Sequence, residues 1–236
     1  MKNKFKLSFC LLLFAFSLQA QQRNFKLGLR FAPGLSMTRV QDINSSDFIK
    51  VTNGASKFRF SGGLAGDFYF ARNYAFYSGF WYTAQNAGIK VDFDSSGTAE
   101  SMETAVNIQT IQIPVSLKFF TNEVATDAKL YFVVGGSGSL HIKKIETNQI
   151  AKINSSRIKV SNAPDAYTLG DLGLLLGGGI EYRLGDATSV FGGITYSRGL
   201  TNIASKDGPI MVKGRSSSSL YDVNMGMICL EMGIYF

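Results

Sequence analysis

The sequence predicts an all-β fold, an eight-stranded antiparallel up-and-down barrel that spans a membrane and follows a cleaved signal peptide. Three observations support this prediction: apolar residues alternate with polar residues or glycine, eight segments show that alternation, and the connections between them alternate in length. The composition agrees, with 19 Phe, 10 Tyr, 25 Gly and only 4 Pro among 236 residues, since aromatic residues favour strands and Pro interrupts them.

The amino terminus has the pattern of a secretory signal peptide. Three lysines precede an apolar run over residues 7–18, and the small residue Ala20 follows. We expect cleavage near Ala20, which divides the chain into a signal peptide (1–20) and a barrel domain (21–236). Removal of the leader leaves 21 Lys and Arg against 17 Asp and Glu, a net charge of +4 instead of +7. The basic balance therefore gives little support to nucleic-acid binding.

Apolar residues recur with a period of two, as strands require when their two faces meet different surroundings. The clearest case puts Ile111, Ile113, Val115, Leu117 and Phe119 on one face and Gln112, Pro114, Ser116 and Lys118 on the other. Alternating segments occur at about 24–36, 58–70, 74–85, 107–120, 129–141, 169–184, 188–200 and 220–236. No window after residue 20 is apolar for long enough to form a membrane-spanning helix.

The connections are short on one side of the predicted barrel and long on the other. The short ones are 71–73, 121–128 and 185–187, and the long ones are 37–57, 86–106, 142–168 and 201–219. An even number of strands with short turns on the side of both termini is typical of outer-membrane barrels, whose short turns face the periplasm.

A soluble barrel of the lipocalin type is the competing fold, because it also alternates but directs its apolar residues inward. Two features favour the membrane barrel: the second face carries charge, Ser and Gly, and aromatic residues stand near strand ends, as in interfacial girdles. Those aromatic residues are Phe25, Phe70, Tyr82, Phe119, Tyr182, Tyr196 and Phe236. The sequence therefore predicts a protein of the Gram-negative outer membrane.

Several segments resemble the strands of the PorT-like outer-membrane β-barrel family. They are GLRFAPGLSMTRV (28–40), GLAGDFYFARNYAF (63–76), IQIPVSLKFF (111–120), LGLLLGGGIEYRLG (172–185) and YSRGLTNI (196–203). The resemblance covers nearly all of the mature chain and implies a small eight-stranded barrel. The family takes its name from a component implicated in type IX protein secretion and gliding, so an accessory role in secretion is one alternative here.

If the apolar faces point to lipid, the narrow lumen receives charged side chains, which we expect to pair because an unpaired buried charge is costly. The predicted lumen network is Arg30, Arg59, Asp67, Lys118, Asp171, Glu181, Arg183 and Glu231, with Lys26 beside it. One interpretation is an ion-pair network that plugs the barrel, and the alternative is a path for protons or ions. Because eight strands leave a lumen that side chains can fill, an open channel is the weaker prediction.

A lipid-modifying enzyme is the alternative from another class, and it would need a general base. The sequence contains one histidine, His141, which we place at the outer rim with Ser139 on the same face. Neighbouring residues on one face of a strand lie about 7 Å apart, too far for a hydrogen bond between nucleophile and base. We therefore predict no catalytic residues, and treat His141 as a rim residue.

The expected partners are outer-membrane lipid and proteins that bind through the four long loops. We expect a monomer, no nucleic acid, no cofactor and no metal site, since one His and one mature Cys give no dense set of transition-metal ligands. The leading hypothesis is a structural or partner-binding protein of the outer membrane.

Overall fold

The computed structural model is a closed barrel of antiparallel strands. It describes residues 24–42, 49–95, 98–147, 149–153, 156–160, 168–203, 211–212, 215–216 and 221–236. The predicted signal peptide and its cleavage position lie outside these residues. In the described part of the chain, no helix has the length and apolar character needed to cross a membrane.

Eight strands form the wall: β1 (Phe25–Asp42), β3 (Lys57–Ala71), β4 (Tyr74–Ser95), β5 (Thr98–Ala125), β6 (Ala128–Thr147), β9 (Gly170–Arg183), β10 (Ser189–Gly199) and β13 (Tyr221–Tyr235). Each pairs with its neighbour along the chain, and β1 pairs with β13, which closes the barrel. The short strands are β2 (Ile49–Asn53), β7 (Gln149–Ile153), β8 (Ser156–Val160), β11 (Met211–Val212) and β12 (Arg215–Ser216). Of these, β2 pairs with β4, β7 with β8, and β11 with β12.

The described chain begins and ends at the end of the barrel that carries the tight turns. Residues 72–73, 126–127 and 184–188 join β3 to β4, β5 to β6 and β9 to β10. Asp127 has a φ of 61°, a conformation that Asp tolerates better than most residues. The backbone amide of Phe236 donates to Leu27 O at 2.9 Å. The last strand is therefore held against the first to its final residue.

Two strands extend much further than the alternation predicted. The sequence predicted a loop over 86–106, but β4 continues to Ser95 and β5 begins at Thr98, with their register unbroken from Trp81 and Gln112 onward. The predicted loop 37–57 likewise contains the end of β1 and all of β2. The loop predictions rested on the frequent Asn, Ser, Thr, Asp and Lys of these segments, and they overlooked the period of two in IKVDFD (89–94).

The two faces of the wall have opposite character. Ile113, Leu117 and Leu230 are 47%, 43% and 56% exposed, whereas Lys118 and Glu231 are 1% and 3% exposed. The apolar side chains thus point outward and the charged ones inward. This orientation excludes the lipocalin alternative, which requires an apolar interior.

Candidate functional site in the barrel lumen

Lys118 on β5 lies at the centre of a group of ion pairs inside the barrel. Its Nζ lies 2.7 Å from Asp67 Oδ2 and 3.7 Å from Glu181 Oε2. Lys26 Nζ lies 2.6 Å from Glu181 Oε1, and the Ser189 hydroxyl donates to the same oxygen at 2.8 Å. Because Lys26 is only part-buried, these contacts connect the buried pair to the end of the barrel with the short turns.

Aromatic rings surround the Lys118 ammonium. Its Nζ lies 4.6–5.6 Å from five ring centroids, which belong to Tyr77, Phe120, Tyr131, Phe191 and Tyr235. It also donates to Tyr235 Oη at 3.2 Å. A cation within about 6 Å of a ring centroid is attracted to the ring face. The rings therefore stabilise the charge while they keep water from it.

A second group of contacts centres on Arg30. Its Nε donates to Glu231 Oε2 at 2.9 Å, and its two terminal nitrogens donate to Ser61 Oγ and Thr195 Oγ1 at 3.1 Å each. The guanidinium lies 4.0 Å from the centroid of the Trp81 ring. Arg30 thus connects strands β1, β3, β10 and β13 and stacks on β4.

Tyr131 links the two groups. Its hydroxyl donates to Glu231 Oε1 at 2.7 Å, while its ring faces Lys118. Gly179 and Gly193 face each other across β9 and β10, and a Cβ at either position would lie 2.6 Å from the Tyr131 hydroxyl oxygen. The two glycines therefore make the space that the phenol occupies.

The six charged side chains of this region, which we call the charged layer, are balanced in sign. They are Lys26, Arg30, Lys118, Asp67, Glu181 and Glu231. The layer contains three cations and three carboxylates, so it carries no net charge. Each cation has a carboxylate within 3 Å. Such an arrangement holds strands together across the barrel, because the removal of one member leaves its partner buried and unpaired.

A chain of neutral hydrogen bonds begins beside Arg30. The hydroxyls of Ser61 and Thr83 lie 2.9 Å apart, Thr83 Oγ1 donates to Gln112 Oε1 at 3.3 Å, and Gln112 Nε2 donates to Ser137 Oγ at 2.8 Å. These residues are all buried. The contacts cross from β3 through β4 and β5 to β6, so polar pairing continues above the charged layer.

Five of the eight predicted network residues, together with Lys26, meet in the charged layer, and three do not. Arg59 donates to Asn107 Oδ1 at 2.5 Å, nearer the long-connection end. Asp171 accepts from Thr201 at the rim. Arg183 lies 2.6 Å from Glu123 in the region of the short turns, where both side chains are about half exposed. Alternation gives the face of each residue but not its height along the barrel.

His141 is buried at the rim and bonds to the backbone. Its Nδ1 lies 2.9 Å from Thr168 O, and within the described chain its Nε2 has no hydrogen-bond partner. Ser139 is the register partner of Asp171 on β9. No described side chain therefore forms the hydrogen bond between nucleophile and base that acyl-transfer chemistry uses.

The aromatic residues of the lumen were missed by sequence reasoning. On β4, Tyr77 and Trp81 point inward and Phe76 and Phe80 outward, so both faces are aromatic and the alternation is hidden. The signal that could have found them is glycine at neighbouring positions, since inward rings need space on the next strand. Among the described residues, no group of His, Cys, Asp and Glu is arranged to hold a metal ion.

Comparison with known proteins gives a family match and similar solved structures. The crystal structure of OprG from Pseudomonas aeruginosa is similar at 12% identity over 89% of this chain and 95% of that chain, with a TM-score of 0.47. The structure of Ail from Yersinia pestis with the heparin analogue sucrose octasulfate matches at 13% identity over 89% and 99%, with a TM-score of 0.35. Neisserial surface protein A matches at 12% identity over 88% and 97%, with a TM-score of 0.37.

No curated protein matches the chain. The profile described as "Outer membrane protein beta-barrel domain" matches residues 19–205, which is most of the sequence. Together with the closed eight-stranded wall and its outward apolar face, this match shows that the chain belongs to the outer-membrane β-barrel protein family.

Proposed function

We propose that this protein is a monomeric scaffold of the Gram-negative outer membrane that binds partners outside the membrane and has a lumen closed to ions. The surroundings of Lys118 carry the proposal: the ammonium is 1% exposed, lies 2.7 Å from Asp67, and is enclosed by five aromatic rings. A hydrated ion would have to displace these paired groups.

The size of the barrel supports a closed lumen. Eight strands enclose a space just wide enough for side chains to fill. Here that space holds large buried side chains, including Trp81, Tyr131 and Tyr235. The alternative of a proton or ion path would need a group that exchanges partners, and the short contacts of Lys118 and Arg30 favour a static network.

The length of β4 and β5 supports a role outside the membrane. A transmembrane strand needs about 9–11 residues, whereas β5 has 28 and β4 has 22. Among the β5 residues whose side chains are described, the alternating outward apolar series runs from Ile111 to Phe119. The paired segments from 83 to 95 and from 98 to 110 therefore extend beyond the apolar band on the side away from the termini. They give a rigid support on which loop residues could bind a partner protein.

Membership of the PorT-like group and an accessory role in protein secretion are finer proposals, and they rest on the resemblance of the strand sequences alone. An enzymatic role has less support, since the His141 ring bonds to Thr168 O and no described serine reaches its free nitrogen. We therefore propose a protein that is not an enzyme.

Planar-bilayer recording of the purified full chain tests the closed lumen. We expect no steady conductance from the wild type. Glu181→Gln, which keeps the shape of the side chain and removes its charge, should also stay closed if the network is structural. Conductance steps from the wild type would contradict the proposal. Conductance from a correctly folded Glu181→Gln would support the ion path. Heat-modifiable migration on gels establishes folding in each case.

Affinity purification from the outer-membrane fraction tests partner binding. The full chain should retain a protein that a variant with a shortened β4–β5 extension loses. Equal recovery from both chains would show that the extension does not bind it.

A further inference from the structure

The outer face of the barrel contains a groove near the end that carries the long connections. It has a volume of about 720 Å³, within the roughly 300–1,000 Å³ of small-molecule sites. Its apolar lining includes Phe80, Ile113, Gly138, Leu140, Gly170 and Leu172. These residues lie on β4, β5, β6 and β9, so the groove crosses several strands.

Glycine forms the floor of the groove. A Cβ built on Gly138 would meet no atom within 4 Å, so the space above this residue is open. The register partners of Gly138 are Ile113 on β5 and Leu172 on β9, and both are exposed. Two branched side chains thus form walls on either side of a position that has no side chain.

Three of the polar residues at the rim, Asp171, Thr201 and Thr168, are bonded within the protein. Asp171 accepts from the hydroxyl and the amide of Thr201, and the same hydroxyl accepts from the amide of Leu172. Thr168 donates to Gly170 O at 3.0 Å. Because these groups already have partners, the groove offers hydrocarbon and few polar contacts to a ligand.

A cation lies one strand away. Arg198 on β10 is exposed, and its register partner on β9 is Leu174, two residues from Leu172. Within the described chain Arg198 has no carboxylate partner. Its neighbours Ile194 and Tyr196 also point outward, so Arg198 lies at the upper edge of the lipid-facing surface. A basic side chain at such an edge favours an anionic head group.

We propose that this groove binds an acyl chain of a phosphorylated glycolipid of the outer leaflet, of the lipid A class, with a phosphate near Arg198. The groove is continuous with the apolar outer face, so hydrocarbon reaches it directly. The long-connection end faces the outside in this family of folds, which places the groove in the outer leaflet. Because Arg198 has no carboxylate partner among the described residues, it favours a phosphate-bearing lipid over a neutral one.

Filling the groove provides the first test. Gly138→Leu places a side chain in open space, and Gly192→Leu is its matched control. Gly192 also faces outward, away from the groove, and a Cβ there would meet only Glu231 O at 3.7 Å. Lipid retained by the full-length proteins is measured by native mass spectrometry after equal detergent washing. Gly138→Leu should reduce retained lipid A about tenfold, as expected when roughly two methylene contacts are lost, and Gly192→Leu should change nothing.

Arg198→Gln tests the head group. It should reduce retention of lipid A and leave retention of a dephosphorylated form unchanged. Equal reduction of both forms would contradict the role of the phosphate. Retention of phospholipid instead of lipid A by the wild type would overturn the assigned lipid, and equal retention by Gly138→Leu and the wild type would overturn the groove.

A second measurement needs no variant. Lipid A with a photoreactive acyl chain is incorporated into membranes that contain the wild-type protein, and the cross-linked peptides are identified. We expect labels concentrated at Ile113, Leu140 and Leu172. Labels spread evenly over the outward face would show that the acyl chains only surround the barrel.

Discussion

Lys118 and Asp67 form an ion pair of 2.7 Å inside the barrel, on strands separated by β4, with side chains that are 1% and 0% exposed. Two charges so far from water are stable only while both are present. Breaking such a pair by removing one partner typically costs about 3–5 kcal/mol. The pair therefore couples opposite sides of β4 and makes the lumen sensitive to single substitutions.

Lys118→Met should lower the free energy of unfolding by about 3–5 kcal/mol, because Asp67 is left buried without its cation. Urea unfolding of the protein in lipid vesicles measures the change. Adding Asp67→Asn to Lys118→Met should restore part of the loss, since the remaining carboxylate is removed. If the double variant is no more stable than Lys118→Met, the two residues are not coupled as the structure indicates.

Gly193→Ala should destabilise the barrel by about 1–3 kcal/mol, the usual cost of overpacking. The added methyl would overlap the backbone carbonyl oxygen of Gly178 on β9 and would lie 2.6 Å from the Tyr131 hydroxyl oxygen, so either the strands must move apart or the phenol must move from Glu231. Gly192→Ala is the matched control, because its methyl has only an ordinary contact at 3.7 Å. The comparison uses the same vesicle unfolding assay, and equal midpoints for the two variants would show that neither the close approach of β9 and β10 nor Tyr131 requires glycine at this position.

Parity along the strands was predictable from the sequence, and height along the barrel was not. A period of two directs Arg30, Lys118, Glu181 and Glu231 to one face, as the structure has them. Arg183 has the same parity as Glu181, yet it is the last residue of β9 and its side chain meets Glu123 near a turn. The pairing of the strands and their tilt in the barrel determine which residues lie at the same height along its axis. The sequence of a single strand shows neither of these.

The strand ends show a second limit of sequence reasoning. Inside the apolar band a strand has one face in hydrocarbon, and its residues must alternate. Beyond the band the backbone ladder of β4 and β5 continues to Ser95 and Thr98, and its segment IKVDFD (89–94) keeps the period of two. The residues from 86 to 106 were predicted as a loop because Asn, Ser, Thr, Asp and Lys are frequent among them, and strands that leave the membrane can have this composition.

Ile194→Arg should lower the free energy of unfolding by about 2–4 kcal/mol, the range for a basic residue near the middle of the lipid-facing surface. Leu200→Arg, near the edge of that surface, should lower it by only about 0–1 kcal/mol. Both side chains are outward, at 59% and 55% exposure, so their accessible surface does not distinguish them. Unfolding in vesicles of one lipid composition measures both. Equal costs for the two variants would contradict the placement of the membrane along β10.

Shortening the β4–β5 extension should leave the barrel intact. Gly88 and Ala105 are register partners, so an Asn-Gly turn can join them in place of residues 89–104. The deleted ladder lies beyond the apolar band, and the charged layer lies below the join. Heat-modifiable migration and the urea midpoint in vesicles should therefore match the wild type.

A longer deletion serves as the control, because it removes paired residues of β4 and β5 that lie inside the apolar band. Joining Ser78 to Val115, which are also register partners, deletes Trp81 and with it the ring that stacks on Arg30. This chain should fail to show heat-modifiable migration. If the short deletion also abolished folding, the extension would be part of the barrel's stable core, and its role as an external support for partner binding would be wrong.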